Sequence, residues 1–222
     1  MLIIGKDINM KLKVCGMKYV ENIQQIAELQ PDYLGFIFYE KSKRNFDGII
    51  PKLPKSIKKT GVFVNASLDE VLEKIKTYNL QAVQLHGDES EQFCKELRQA
   101  ELVSASQKQV QVIKVFGIKD EFDFNILKPF ESVVDYFLFD TKGKERGGNG
   151  ITFNWKVLEK YPFSKPFFLS GGIGLAQTEE INKIRKTDLP IYGLDVNSKF
   201  EIEAGLKSVK SLNKFKEKVY GK

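Results

Sequence analysis

Tyr33-Leu34-Gly35-Phe36-Ile37-Phe38 carries no polar face. A run apolar on both faces reads as a parallel strand covered on both sides. Similar runs lie at Leu12-Lys13-Val14-Cys15, Gly61-Val62-Phe63-Val64, Ala82-Val83-Gln84-Leu85 and Val110-Gln111-Val112-Ile113-Lys114-Val115. They recur at Tyr136-Phe137-Leu138-Phe139-Asp140, Pro166-Phe167-Phe168-Leu169-Ser170 and Ile191-Tyr192-Gly193-Leu194-Asp195. The eight runs are spaced by roughly 20 to 30 residues, the size of one strand-plus-helix unit.

Amphipathic stretches lie between them. Val20, Ile23, Ile26, Ala27 and Leu29 form one apolar stripe, and Leu68, Val71, Leu72 and Ile75 another, with Asn65 or Ser67 as its N-cap. Ser90 with Phe93, Cys94 and Leu97, then Ile181 with Ile184, then Val209, Leu212, Phe215 and Val219 supply three more. Asp47 to Pro54 is bounded by prolines, so any helix there is short or irregular. The polar interval Gln99 to Gln109 reads as a helix end plus loop. Eight such units in 222 residues predict a single-domain α/β protein, a (β/α)8 or TIM barrel, over residues 12–222. Residues 1–11 are expected to be a poorly ordered extension, and Met10 is a second candidate start. An open doubly wound sheet competes, but no Gly-x-Gly-x-x-Gly follows the first strand and no Walker-type loop exists.

Composition narrows the function. At 42% apolar and 29% charged, with two cysteines, the chain is neither disordered nor a disulfide scaffold. No apolar run approaches the roughly 18 residues of a membrane span, and the first residues lack a signal-peptide pattern. A cytoplasmic, reducing compartment is expected. The formal charge of +6 favours anionic partners weakly. The lysines are interspersed with acids, and the series Lys207, Lys210, Lys214, Lys216 and Lys218 reads as a solvated helix face. No nucleic-acid motif and no membrane partner is expected.

In a barrel of this kind the site gathers at the C-terminal ends of the strands. Those ends carry Cys15-Gly16, Lys41-Ser42-Lys43-Arg44, Asn65, His86-Gly87-Asp88, Asp140-Thr141-Lys142, Ser170-Gly171-Gly172 and Asp195-Val196-Asn197-Ser198. Gly171 and Gly172 after the seventh strand, with Asn197 and Ser198 after the eighth, occupy the usual phosphate position, where backbone N–H groups approach an anion closely. Gly147-Gly148-Asn149-Gly150 is a second glycine-rich segment, a lid or part of the same cradle. Cys15 and Asp140 end strands one and six, so a thiol and a carboxyl face each other across the mouth as base and acid. Read alone, each has a plainer role, a small buried hydrophobe or a helix cap. Arg44 suits a bidentate carboxylate contact or a solvated basic loop. His86, the only histidine, is not the expected base. Cys94 lies on an apolar helix stripe and reads as core.

These segments resemble the phosphoribosylanthranilate isomerase family. The resemblance rests on Lys13-Val14-Cys15-Gly16-Met17, Gly35-Phe36-Ile37-Phe38-Tyr39 with Ser42-Lys43-Arg44, and Gly61-Val62-Phe63-Val64-Asn65. It extends through Val83-Gln84-Leu85-His86-Gly87, Phe139-Asp140-Thr141-Lys142, Phe153-Asn154-Trp155, Leu169-Ser170-Gly171-Gly172 and Leu194-Asp195-Val196-Asn197-Ser198. It implies a tryptophan-biosynthesis isomerase that performs an Amadori rearrangement of N-(5-phospho-β-D-ribosyl)anthranilate. Carried over, Cys15 is the general base, Asp140 the general acid, and Arg44 contacts the anthranilate part. Gly171, Gly172, Asp195, Asn197 and Ser198, with His86, line the substrate. The chemistry implied needs no metal and no cofactor, and the only partner is a small phosphorylated substrate, taken by a monomer or homodimer. Its paired base argues against a two-aspartate ribonucleotide isomerase of the histidine pathway. Cys15, Asp140 and Arg44 together argue against an inactive phosphate-binding barrel. Two positions depart from the family. Lys199 stands where glycine is usual, straining the loop if φ must be positive, or else adding an ammonium to the phosphate site. Asn154 stands where aspartate is common.

Overall fold

The computed structural model describes residues 10–103, 109–141 and 152–221, with the backbone alone for 101–103. The glycine-rich segment 147–150 and residues 1–9 lie outside them. Eight parallel strands, β1 (Lys11–Val14), β2 (Tyr33–Phe38), β3 (Lys58–Phe63), β4 (Ala82–Leu85), β5 (Gln111–Ile118), β6 (Tyr136–Thr141), β7 (Phe167–Leu169) and β8 (Ile191–Val196), pair in chain order. The sheet closes where β8 meets β1, with Lys13 opposite Asp195 and Val14 opposite Val196. The chain is a (β/α)8 barrel, as the apolar runs predict. Met10 is buried and Lys11 pairs with Gly193 at the start of β1.

The helices follow the apolar stripes. They are α1 (Val20–Glu28), α2 (Leu68–Tyr78), α3 (Glu91–Val103), α4 (Thr178–Ile184) and α5 (Val209–Tyr220). Ser67, not Asn65, caps α2 by accepting from the Glu70 N–H at 3.2 Å, worth about 1 kcal/mol. Among the described residues, the units after β5 and β6 carry 3₁₀ turns and no α-helix, at Phe124–Phe130 and Trp155–Lys160. Pro129 interrupts the first. Asn154 caps the second by accepting from the Lys156 N–H, a task asparagine performs as well as aspartate. Between β2 and β3 the proline-bounded segment 47–54 forms no helix.

Two apolar layers result. The larger fills the space between barrel and helices. The smaller, inside the barrel, joins Tyr33, Ala82, Ile113, Val115, Leu138 and Phe168. At the N-terminal end Tyr33 Oη bonds Gln111 Oε1 at 2.8 Å and Tyr192 Oη at 2.9 Å, and Lys58 Nζ reaches both Tyr33 and Gln111. That polar plug closes the floor and leaves the C-terminal mouth as the place for chemistry.

One expectation is corrected. Lys207 is not on a solvated helix face. It ends a short hairpin of β9 (Glu201–Glu203) and β10 (Leu206–Lys207), is 1% exposed, and is held by Glu201 and Asn197. α5 starts after it, capped by Ser208.

Candidate active site

Cys15 follows β1 directly and is buried. Its N–H bonds the Val196 carbonyl, tying it to the end of β8. Gly35 on β2 makes room for the sulfur: a Cβ there would lie 2.8 Å from Cys15 Sγ. Burial pushes the thiol up, against the pull of Lys13 and Lys207, and the Asp195 carboxylate adds to the rise.

Asp140, on β6, is also buried. Its Oδ1 accepts from the Thr141 N–H at 2.8 Å, and its Oδ2 lies 3.5 Å from His86 Nε2. Gln84 Nε2 stands 3.3 Å from His86 Nδ1, so the ring is held between an amide and a carboxylate. Asp195, on β8, lies between the two halves of the mouth. It feels the Lys13 ammonium on one side and Asp140 and His86 on the other, and burial raises its carboxyl. Cys15, Asp195, Asp140 and His86 thus share one rim.

The loops meet above them. At Gly174, after β7, a Cβ would touch Lys199 Cβ at 3.0 Å, so the loops after β7 and β8 are apposed. Gly171 and Gly172 both have positive φ, the conformation that favours glycine. A Cβ on Gly171 would fall 2.2 Å from Thr141 Oγ1. Ser198 begins a single 3₁₀ turn, Ser198–Phe200. Lys199 sits in that turn and is not among the residues with positive φ, so the loop accommodates lysine without backbone strain. Asn197 Oδ1 accepts from Lys207 Nζ at 2.6 Å.

Arg44 comes from the turn after β2, where Ser42 Oγ accepts its N–H. Its guanidinium is held by Glu201, with Nε 2.8 Å from Oε1 and Nη2 2.7 Å from Oε2. A Cβ on Gly16 would lie 2.7 Å from Asn197 Oδ1 and 2.8 Å from Arg44 Cδ, so the loops after β1, β2 and β8 converge. Glu201 also accepts from Lys207 Nζ and the Gly205 N–H. Burial alone would raise Glu201, but these donors hold it at about 2.

Three buried ion pairs escaped the sequence reading. Lys13–Asp195 closes at 2.8 Å, Lys114–Glu89 at 3.1 Å and Lys207–Glu201 at 2.6 Å. Glu89 also accepts from the N–H groups of Asn65 and Gly87, stitching the loops after β3 and β4 beside His86. One signal was available. Lys13 and Cys15 have the same strand parity, so a lysine shares the inward face with the thiol. Among the described residues, no group of three His, Cys, Asp or Glu side chains is arranged to hold a metal ion.

Comparison with known proteins completes the picture. Residues 12–218 match the family model described as N-(5'phosphoribosyl)anthranilate (PRA) isomerase. The chain is 40% identical over 220 residues to the N-(5'-phosphoribosyl)anthranilate isomerase of Parabacteroides distasonis, covering 95% of this chain and 93% of that one. The crystal structure of phosphoribosyl anthranilate isomerase from Thermotoga maritima is similar with a TM-score of 0.79 at 30% identity, over 96% of this chain and all of that one. A phosphoribosyl anthranilate isomerase in complex with reduced 1-(o-carboxyphenylamino)-1-deoxyribulose 5-phosphate gives a TM-score of 0.75 at 27% identity, over 96% and 100% of the two chains.

Proposed function

The chain belongs to the N-(5'-phosphoribosyl)anthranilate isomerase family, and on that premise we propose that Cys15 and Asp140 are its base and acid. The enzyme converts N-(5-phospho-β-D-ribosyl)anthranilate to 1-(2-carboxyphenylamino)-1-deoxy-D-ribulose 5-phosphate in tryptophan biosynthesis. The observation that carries the assignment is the shared rim: a buried thiol and a buried carboxyl, with Asp195 between them, under the apposed loops after β7 and β8.

In this reading Asp140 gives its proton to the ribose ring oxygen. The ring C–O bond breaks, and the anilino nitrogen supplies the electron pair that forms the C=N bond of an iminium. The positive nitrogen acidifies the C2 proton, which Cys15 removes as thiolate, and the electrons collapse into an enolamine. A proton added at C1 and one released from the enol hydroxyl give the ketone, so the net change is an isomerisation. Burial raises the thiol. The iminium forms beside it at the step that needs a base, and a neighbouring positive charge favours the thiolate. Backbone N–H groups of Gly171, Gly172 and Ser198 hold the phosphate. Arg44 exchanges one contact with Glu201 for the anthranilate carboxylate, which its planar fork matches. His86 Nε2–H steadies Asp140 as carboxylate after it has given up its proton, and Asn197 braces the loop through Lys207.

Both cysteines are free thiols, which suits a reducing compartment, and we place the enzyme in the cytoplasm as a monomer or homodimer. Among the described residues, no helix is long and apolar enough to cross a membrane. Complementation of a tryptophan auxotroph lacking this isomerase tests the reading. Growth restored by the parent gene but not by Cys15→Ala or Asp140→Asn supports the assignment. Growth with either variant at the parental rate overturns it.

A further inference from the structure

The mechanism above leaves a fully buried cation unused. Lys13 has no solvent-exposed surface, yet its ammonium lies inside the mouth, 2.8 Å from Asp195 Oδ1. A buried ammonium without a partner is costly; this one is hydrogen-bonded to the Asp195 carboxylate, and its charge also acts on the Cys15 thiol beside it. The geometry follows from the strand. Lys13 and Cys15 are two residues apart, so both project from the same face of β1, and Asp195 is Lys13's paired neighbour across the β1–β8 seam. The Lys13 ammonium is therefore shared between two groups that each gain from it when negatively charged.

We propose that the Lys13–Asp195 pair sets the ionisation of Cys15, with Lys13 as a positioning residue that supplies the thiolate's counter-charge and Asp195 as the competitor for it. The inference rests on the reading of Cys15 as the base. The other groups facing the pair are consistent with it. Lys207, from β10, is the second cation that acts on Cys15, but Glu201 and Asn197 hold it. From β2 the thiol meets Gly35, which carries no charge. Asp140 and His86 face Asp195 from β6 and β4. Asp195 thus connects the acid side of the mouth to the base side.

The two members make opposite predictions, which a purely structural role does not. In a Cys94→Ala background Cys15 is the only thiol, and the pH midpoint of its thiolate ultraviolet absorbance reads its ionisation without a reagent. Lys13→Met moves the midpoint to higher pH, and Asp195→Asn moves it to lower pH. The doubly substituted protein falls between the two. The acid limb of kcat against pH moves with the midpoint, and kcat at neutral pH drops about tenfold or more in Lys13→Met. Lys13→Met leaves Asp195 buried without its cation and risks misfolding. The comparison of Asp195→Asn with the doubly substituted protein then decides, because adding Lys13→Met to Asp195→Asn must raise the midpoint. Midpoints that stay at the parental value, or that move in the same direction for both single variants, overturn the proposal. Failure of the base assignment looks different: Cys15→Ala would keep its activity while the midpoints of the Cys15-containing variants still moved apart.

Discussion

Arg44 and Glu201 form a two-toothed pair across the mouth, with Nε to Oε1 at 2.8 Å and Nη2 to Oε2 at 2.7 Å. The guanidinium is thereby oriented before any substrate arrives. Arg44→Ala raises KM by about ten- to a hundredfold with kcat changed less, the loss of a charged hydrogen bond made equally in ground and transition states. Glu201→Gln leaves the arginine in place but loosely held, so KM rises by a smaller factor. Steady-state kinetics of both variants check this. A fall in kcat without a rise in KM for Arg44→Ala would place the residue in the chemical step instead.

Glu201 also makes the fold sensitive to acid. Arg44, Lys207 and the Gly205 N–H hold its carboxyl at about 2, below the ordinary 4.5 of a glutamate, despite the opposing effect of burial. A carboxyl depressed in the folded state contributes stability that is complete above its unfolded pKa and is lost as pH falls through its folded one. Chemical denaturation between pH 4.5 and 2 is therefore expected to show a steep loss of stability in the parent. In Glu201→Gln this contribution is absent, so the curve is flatter over the same window, from a lower starting stability.

Cys15→Ala and Asp140→Asn are each expected to cut kcat by about a hundredfold or more, the usual contribution of a positioned acid or base. Both groups are buried and lie outside the loops proposed to hold the phosphate. Affinity for the reduced product analogue is therefore largely retained, and calorimetric titration checks that split.

The architecture was legible because a barrel strand covered on both faces leaves an unbroken apolar run, and the turns between runs expose the polar strand ends. Cys15, Asp140 and Asp195 could be picked out there because a reactive side chain at the end of an apolar run is conspicuous. The ion pairs were not legible. Lys13 interrupts an apolar run without changing its reading, and Lys207 fits the spacing of the α5 lysines although it lies on β10. A lysine's burial depends on a carboxylate far away in sequence. Asp195 is 182 residues from Lys13, and no local pattern encodes that meeting. The 3₁₀ turns after β5 and β6 match no stripe read from the sequence, because segments of seven and six residues are too short to show a helical apolar repeat.

Gly171 tests how tightly the loop after β7 supports the acid. Its φ is +87°, and a Cβ would lie 2.2 Å from Thr141 Oγ1 and 2.7 Å from the Thr141 backbone nitrogen, whose N–H bonds Asp140. Gly171→Ala is expected to cost about 1–3 kcal/mol of stability through overpacking and backbone strain, and to lower kcat by displacing Asp140. Gly48→Ala is the control. The nearest atoms to its Cβ are ring carbons of Phe46 at 3.7 Å, so stability is unchanged or slightly higher. Thermal unfolding of the two variants side by side checks the contrast.

Lys199 separates backbone from charge in the loop after β8, which is proposed to hold the phosphate. Had the loop needed a positive φ there, Lys199→Gly would relieve strain and stabilise the protein. It does not: Lys199 lies in the 3₁₀ turn Ser198–Phe200, outside the left-handed region, so glycine brings only its greater freedom in the unfolded chain. Lys199→Gly is therefore expected to lose about 0.5–1 kcal/mol of stability. Its ammonium is on an exposed residue beside the loop after β7, where it adds a screened attraction for a phosphate dianion. Lys199→Gln keeps the side chain's length and removes the charge. Both variants should bind inorganic phosphate a few-fold more weakly at low salt, the order expected of one exposed charge. The difference from the parent should shrink as ionic strength rises. A glycine variant more stable than the parent would show that the turn is strained after all, and parental phosphate affinity in the glutamine variant would remove the ammonium from the site.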